Sequence, residues 1–260
     1  MGNMRVTLLG TGISQGIPVI GCKCAACQST DPHDKRLRTA AVVESDGVRV
    51  AIDIGPDFRQ QMLRAGVEHL DAIIVTHEHS DHIAGLDDVR PFNWVLQGPM
   101  PLYAEPRVLD ALESRFPYAF MPPEKRYPGA PALDVHPVGD LSNSLRIKGL
   151  LVKPFRVFHG QLPILGFRFG RFAYITDCSS LPAESLEALR GVDTLVINAL
   201  RHTPHPMHYT LQEALEAIRA IGPRRAYLTH VSHELGPTSE VAPTLPSGVE
   251  LGYDGLIITV

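Results

Sequence analysis

The chain carries no surplus of positive charge. Lys and Arg number 24 against 28 Asp and Glu in 260 residues, a formal net charge of −4. A general nucleic-acid binder is usually basic, so that class starts at a disadvantage, although a local basic patch can act inside an acidic whole. No apolar run approaches the roughly 18 residues of a membrane span, so no membrane partner is expected. Four cysteines are too few for a disulfide framework at this length. There is no low-complexity tract, linker or long run of one charge, and the 22 prolines and 22 glycines punctuate the chain rather than gather in one tether. Met1–Gly12 lacks the pattern of a signal peptide. Gly2 invites N-myristoylation, but Val6 stands where Ser or Thr is wanted. The expectation is a cytoplasmic protein. What is present is enough apolar sequence, 44% of residues, to build a real core, and the length fits one α/β domain over residues 1–260.

Patterning predicts strands at Met4–Leu9, Thr39–Glu44, Val48–Asp53 and Ala72–Thr76, then at Leu145–Val157, Leu165–Phe169, Phe172–Thr176, Thr194–Ala199, Arg225–Thr229 and Leu256–Val260. Helices are expected at Gly55–Ala65, Arg107–Phe116, Ala183–Leu189 and Leu211–Ile221. Gly98–Pro137 reads as less regular, and Tyr118–Pro131, with four prolines, as irregular. One weak internal echo stands out. Ala72–His77 and Ala226–His230 are both apolar strands that end in Thr-His.

Nine of the twelve histidines fall in four places: His77, His79 and His82; His159; His202, His205 and His208; His230 and His233. Surface histidines would scatter more evenly. The densest run is His77-Glu78-His79-Ser80-Asp81-His82. Two residues apart on an extended backbone, His77 and His79 point the same way, and Asp81 and His82 can turn toward a second position. Imidazole with carboxylate is the ligand set of Zn, Mn or Fe, whereas Mg and Ca prefer oxygen alone. Four such side chains within six residues exceed what one tetrahedral ion needs from one loop, so two metals are expected. The bland alternative is a solvated loop with chance histidines, and the buried-looking strand before it argues against that.

This run resembles the signature of the metallo-β-lactamase superfamily. The resemblance implies a four-layer αβ/βα sandwich with a dinuclear metal site at one edge of its two sheets. The remaining pattern follows in order: Asp53 in Ala51-Ile52-Asp53, His159 in Phe158-His159-Gly160, Asp177 in Thr176-Asp177, and His230 in Thr229-His230. Carried over residue by residue, one metal would take His77, His79 and His159, and the other Asp81, His82 and His230. Asp177 would bridge them, and Asp53 would orient ligands from behind. Taken alone, Asp53 could equally be a turn residue before Gly55.

Cys22-Lys23-Cys24-Ala25-Ala26-Cys27 offers three soft ligands on a short loop. Three thiolates and one histidine make a closed structural zinc site, and His233, three residues past His230, lies near the same sheet edge. A redox Cys24–Cys27 pair or three unligated thiols are the competing readings. Gly10, Gly12 and Gly16 lack the Gly-Lys-Ser/Thr of a phosphate loop and read as tight turns before the cysteines. Cys178 reads as a small buried residue. The cysteine loop with the late Ser232-His233, together with Leu9–Gly12, Gly16–Pro18, Leu245–Gly248 and Gly252–Gly255, resembles the PhnP-type phosphodiesterase branch.

That branch implies hydrolysis of a small cyclic or nucleotide-like phosphodiester, for instance 5-phosphoribosyl 1,2-cyclic phosphate. Two metals about 3.5–4 Å apart, Mn or Zn with Fe also acceptable, would share a hydroxide nucleophile held beside Asp81. His208 would donate toward the substrate phosphate or the leaving oxygen, and its plainer role is a residue at a helix entry. His202 and His205 could simply line the cleft mouth. The alternatives are a tRNase Z-like RNA-processing nuclease, a lactone or thioester hydrolase, and a non-catalytic carrier like PqqB. A nuclease of that kind should carry a long flexible arm, and a carrier damaged ligands. A homodimer is the default assembly.

Overall fold

Side-chain alternation along the strands sorts the chain into layers. In strand β2 (Ala40–Ser45), Ala41 and Val43 join one apolar cluster while Ala40 and Val42 join another. The computed structural model describes residues 4–260, so Gly2 lies outside the described residues. The first sheet runs β14-β1-β2-β3-β4-β5-β6, where β1 is Arg5–Gly10, β3 Val48–Ile52, β4 Ala72–Ile74, β5 Met100–Ala104, β6 Leu133–Pro137 and β14 Ile257–Thr259. The second runs β13-β12-β11-β10-β9-β8-β7, with β7 at Leu145–Ile147, β8 Leu150–His159, β9 Leu162–Phe169, β10 Phe172–Tyr174, β11 Thr194–Asn198, β12 Arg225–Thr229 and β13 Val249–Leu251.

The inner faces meet through Val43, Ile52 and Ile74 from one sheet and Phe167, Phe172 and Tyr174 from the other, all fully buried or nearly so. Burying each such side chain contributes about 1.5–3 kcal/mol. The outer faces are covered by helices. Phe58 and Met62 of the helix Phe58–Ala65 pack on the first sheet. Leu211, Ala214 and Ile218 of the helix Leu211–Ile221 pack on the second. The latter helix is well specified locally. Thr210 and Glu213 form a reciprocal capping box at its start, and Gly222, with φ 71°, ends it. Helix, sheet, sheet, helix is the four-layer sandwich the sequence led us to expect.

The elements depart from expectation in four places. The single strand expected at Leu145–Val157 is a hairpin, β7 and β8, turning at Lys148 and Gly149 with φ of 45° and 98°. Gly98–Pro137 is not an irregular insert. It supplies β5 and β6, both hydrogen-bonded into the first sheet, and its proline-rich part contains a helical turn at Pro117–Phe120. Just before it, Arg90–Leu96 forms a helix that the patterning did not announce. Finally, Gly10 and Gly12 are not tight turns. A Cβ on Gly10 would fall on the carbonyl of Arg38, so the glycine is there for close backbone approach, whereas Gly16, with φ 67°, does close a turn onto Ile13. No helix is long and apolar enough to cross a membrane among the described residues.

Strands β3, β4, β8, β10 and β12 all finish at one edge of the sandwich. Immediately beyond or at their ends stand Asp53, Thr76-His77, His159, Asp177 and His230.

Candidate metal centre and the cleft beside it

Three groups of side chains come together, each with its ligand atoms within 4.8 Å of one another. One is His77, His79, His159 and Asp177, a second is Asp81, His82, Asp177 and His230, and a third is Cys22, Cys24, Cys27 and His233. The structure thus assembles every residue singled out as a metal ligand, with Asp177 common to the first two groups.

Local geometry explains the first loop. After β4 the chain stays extended through His77 and His79, then makes one helical turn at Ser80–Ile83 that swings Asp81 and His82 to the other side. This turn is clamped against the end of β3. The Ile54 N–H donates to the His82 carbonyl at 2.8 Å, and a side chain at Gly55 would occupy the Asp81 carbonyl oxygen. Asp53, Asp177 and His230 each have left-handed backbones, with φ of 65°, 54° and 52°. Such conformations cost about 1–3 kcal/mol each and persist where surroundings impose them.

The imidazoles are aimed from behind. His82 Nδ1 donates to Asp53 at 2.7 Å, His159 Nδ1 to the Met207 carbonyl at 2.7 Å, and His77 Nδ1 meets the Thr76 hydroxyl at 3.0 Å. Thr76 in turn donates to the Asp53 carboxylate through its amide and its hydroxyl. These bonds set the tautomers so that each Nε2 faces the shared space. There, His77 Nε2, His82 Nε2 and both His230 nitrogens are buried without a hydrogen-bond partner. An orphaned buried polar atom costs about 1–3 kcal/mol, so this donor set fits a divalent cation better than it fits emptiness.

The field in the pocket says the same. His82 Nε2 lies 3.3 Å from Asp81 and 3.5 Å from Asp177, with Asp53 behind. Burial disfavours its charge, yet Asp177, Asp81 and Asp53 raise its pKa well above the ordinary imidazole value. Burial likewise works against the Asp177 carboxylate, but His230, 3.2 Å away, and His82 hold it well below the usual range. His77 is kept neutral by burial and then by the neighbouring His82.

In the cysteine group, His233 Nδ1 is 3.3 Å from both Cys22 and Cys24 sulfurs, and the Val19 amide donates to Cys27 Sγ at 3.3 Å. The Cys27 amide and then His233 bring the Cys24 thiol down to about 6, whereas burial pushes Cys27 up to about 11. His233 opens a short helical turn three residues past His230, and the intervening Val231 exchanges backbone bonds with Thr11 and Ile13. The strand that carries His230 therefore also anchors the cysteine loop.

Beside the two-centre group opens a cleft of about 710 Å³ lined by Gly160, Gln161, Ser179, His205, His208 and Glu213, among others. His208 packs between the two ligand groups, its ring 4.6 Å from His159 and 4.9 Å from His230. Its Nδ1 is buried and unpartnered, and burial followed by His230 brings its pKa down to about 3, so it is a neutral imidazole. It precedes the N-cap Thr210 by two residues and does not enter the helix. His205 lines the cleft, and His202 instead meets the Leu235 carbonyl. The sequence reading missed Thr76 and Met207. The Thr-His echo was the available signal for Thr76, and Thr176-Asp177 extends it to a third strand. Met207 acts through a carbonyl, which leaves no trace in residue type. Arg107 was also missed. It grips Glu78, between His77 and His79, and the Pro163 carbonyl.

Comparison with known proteins agrees with this geometry. A β-lactamase superfamily domain matches residues 48–231. A solved diphosphatase from the PhnP family is 42% identical with a TM-score of 0.91, covering 99% of this chain and 97% of that one. An octanoyltransferase of Porphyromonas gingivalis is 43% identical over 97% of this chain but 51% of its own length, so the chain spans about half of that relative. A ribonuclease Z of Mycobacterium sp. (strain KMS) is 26% identical, over 96% of this chain and 94% of its own. The chain belongs to the metallo-β-lactamase superfamily, in the PhnP branch of its metal-dependent hydrolases.

Proposed function

We propose that the protein hydrolyses a P–O bond in a small phosphodiester or substituted diphosphate. The observation that carries this reading is a pair of ligand groups sharing Asp177 beside a cleft without a free nucleophile. The Ser179 hydroxyl donates to the Phe158 carbonyl and accepts the Gly160 amide, so both its roles are spent. Cys178 is fully buried, and burial pushes its thiol up to about 12. Water is then the attacking group. His77, His79, His159, Asp177, Asp81, His82 and His230 would hold a divalent pair, which when bound would supply Lewis acidity and bring the pKa of water toward neutrality.

The chain's own residues do the rest. Asp53 and the Met207 carbonyl hold His82 and His159 in one tautomer. His208, neutral and between the two groups, donates an N–H to a phosphate oxygen or to the departing alkoxide. The diphosphatase of the PhnP family supports phosphorus as the reacting centre. Acyl transfer, the activity of the Porphyromonas gingivalis relative, lacks a free nucleophile here, and that relative matches over half its length. The ribonuclease Z reading is weakened by the net charge of −4 and by residues 98–137, which build β5 and β6 rather than an arm.

Phosphorus NMR of the manganese-loaded protein tests the proposal, with a ribosyl 1,2-cyclic phosphate and a dinucleoside diphosphate as substrates. Metal-dependent conversion of either to a monoester is the expected result. No conversion of either, alongside metal-dependent cleavage of a tRNA precursor, would move the protein to the nuclease reading.

A further inference from the structure

We infer that Arg107 is a positioning residue for one of the two metal positions. By bracing His79 against the hairpin of His159, it sets the affinity of that position relative to the other. This rests on the divalent pair of the reading above and is independent of the substrate.

Most candidate ligand rings are aimed by a hydrogen bond or enclosed by packing. His82 is held by Asp53, His159 by the Met207 carbonyl and His77 by the Thr76 hydroxyl. His230 has no such bond, but it is buried and its ring stacks on His208. His79 has neither support. It is only partly buried, and no hydrogen bond holds its ring among the described residues. Its place must come from the main chain on either side of it. Side chains alternate along the extended segment that leaves β4, so Glu78 points away from the space that His77 and His79 share. There Arg107 Nη1 donates to both oxygens of the Glu78 carboxylate. A grip on Glu78 therefore fixes how far the two flanking imidazoles project.

The other arm of the guanidinium reaches the second sheet. Arg107 Nη2 donates to the Pro163 carbonyl, and Pro163 pairs across the β8–β9 hairpin with Phe158, the residue before His159. One rigid fork thus spans the loop of His77 and His79 and the hairpin of His159. Its base is fixed as well. Arg107 lies in the first turn of the helix Pro106–Arg115, whose Val108, Leu109 and Leu112 are buried in the core of the first sheet. The last turn of that helix meets the other neighbour of His79, with Arg115 Nη1 donating to the Ser80 hydroxyl at 3.1 Å. The second ligand group is braced from elsewhere. His82 is set by the Ile54 amide and Asp53 at the end of β3, and His230 follows β12. Asp177 is common to both groups. Loss of Arg107 should therefore loosen one position and spare the other.

Manganese reads these positions apart from the cysteine group, because thiolates select softer ions. Metal-depleted crystals of the wild type and of each variant are equilibrated with graded manganese, and anomalous diffraction gives the occupancy of each position. In Arg107→Gln, half-occupancy at His77, His79 and His159 should need at least about tenfold more manganese, the lower end of what losing a ligand-orienting partner costs. The position at Asp81, His82 and His230 should shift by less than about twofold, since its orienting partners remain. Arg107→Lys should recover part of the loss, because an ammonium can reach Glu78 without the fork that also reaches Pro163. Glu78→Gln leaves Arg107 on Pro163 and Glu105; it should weaken the same position, and it decides the matter if Arg107→Gln does not fold. Arg156→Gln is the control. Arg156 also binds Glu105, at 2.6 Å, but its other partner is the Ile164 carbonyl and not the metal loop, so neither position should change. Equal weakening of both positions, an unchanged first position, or the same loss in Arg156→Gln would overturn the inference and leave the divalent pair standing. No manganese at either position of the wild type would remove the divalent pair itself, and the inference with it.

Discussion

The two kinds of ligand cluster in this protein are built in opposite ways. The cysteine group draws three of its four side chains from one loop, Cys22 to Cys27, and adds His233. The two-centre group draws its side chains from the ends of strands in both sheets, from His77 to His230, and from the turn at Ser80–Ile83. Four soft or imidazole ligands close a tetrahedron and leave no room for a substrate. The two-centre group is wrapped by buried strand ends on one side and opens onto the cleft of His205 and His208 on the other. The first arrangement is suited to holding a loop in place and the second to chemistry.

The largest expected effect separates them at Asp177. Asp177→Ala should reduce metal-dependent hydrolysis by at least on the order of 10²–10³-fold while the zinc content assigned to the cysteine group stays unchanged, as metal analysis and steady-state rates would show. Activity retained in that variant would break the two-centre assignment. His208→Ala comes next. A loss of roughly 10²-fold in kcat is expected, with full metal content, because it removes a donor and no ligand. Metal lost along with turnover would place His208 among the ligands instead.

Cys24→Ser addresses the other cluster. It should lower the midpoint of thermal unfolding by roughly 5–10 °C, taking about 2–3 kcal/mol of lost site stability at about 2–4 °C each. The two-centre metals should remain. The smallest effect is chemical. In chelator-treated protein the Cys24 thiol, brought down to about 6, is mostly thiolate at pH 7, whereas Cys178 sits up at about 12 and is buried. Iodoacetamide should label Cys24 first, with a rate that rises with pH through about 6, and should leave Cys178 untouched until the protein unfolds. Peptide mass mapping reads the order. Preferential labelling of Cys178 would contradict the burial that sets the two thiols apart.

Much of the candidate site was legible because its chemistry is local in sequence. His77 to His82 and Cys22 to Cys27 announce themselves by spacing, and Asp53, Asp177 and His230 follow apolar strands whose residue types are easy to read. The parts that stayed hidden depend on atoms or partners that residue type does not reveal. The Met207 carbonyl orients His159 through the backbone. Arg107 meets Glu78 only after the helix Pro106–Arg115 has packed beside the metal loop. In the fold, β5 and β6 were obscured by Pro101 and Pro137, which weaken a strand reading, and their place in the sheet comes from pairing of β5 with β4 and of β6 with β5. The β7–β8 turn was missed because Lys148 takes a positive φ that its side chain does not advertise.

The position of β14 has a consequence for synthesis on the ribosome. This strand, Ile257–Thr259, pairs with β1 at Arg5–Thr7, so the first sheet is bordered by segments made at opposite times. Until Ile257 emerges, β1 has an open flank of unpaired amides and carbonyls, the kind of flank on which nascent chains associate. The chain must keep that border unoccupied by strangers while the whole second sheet is being made.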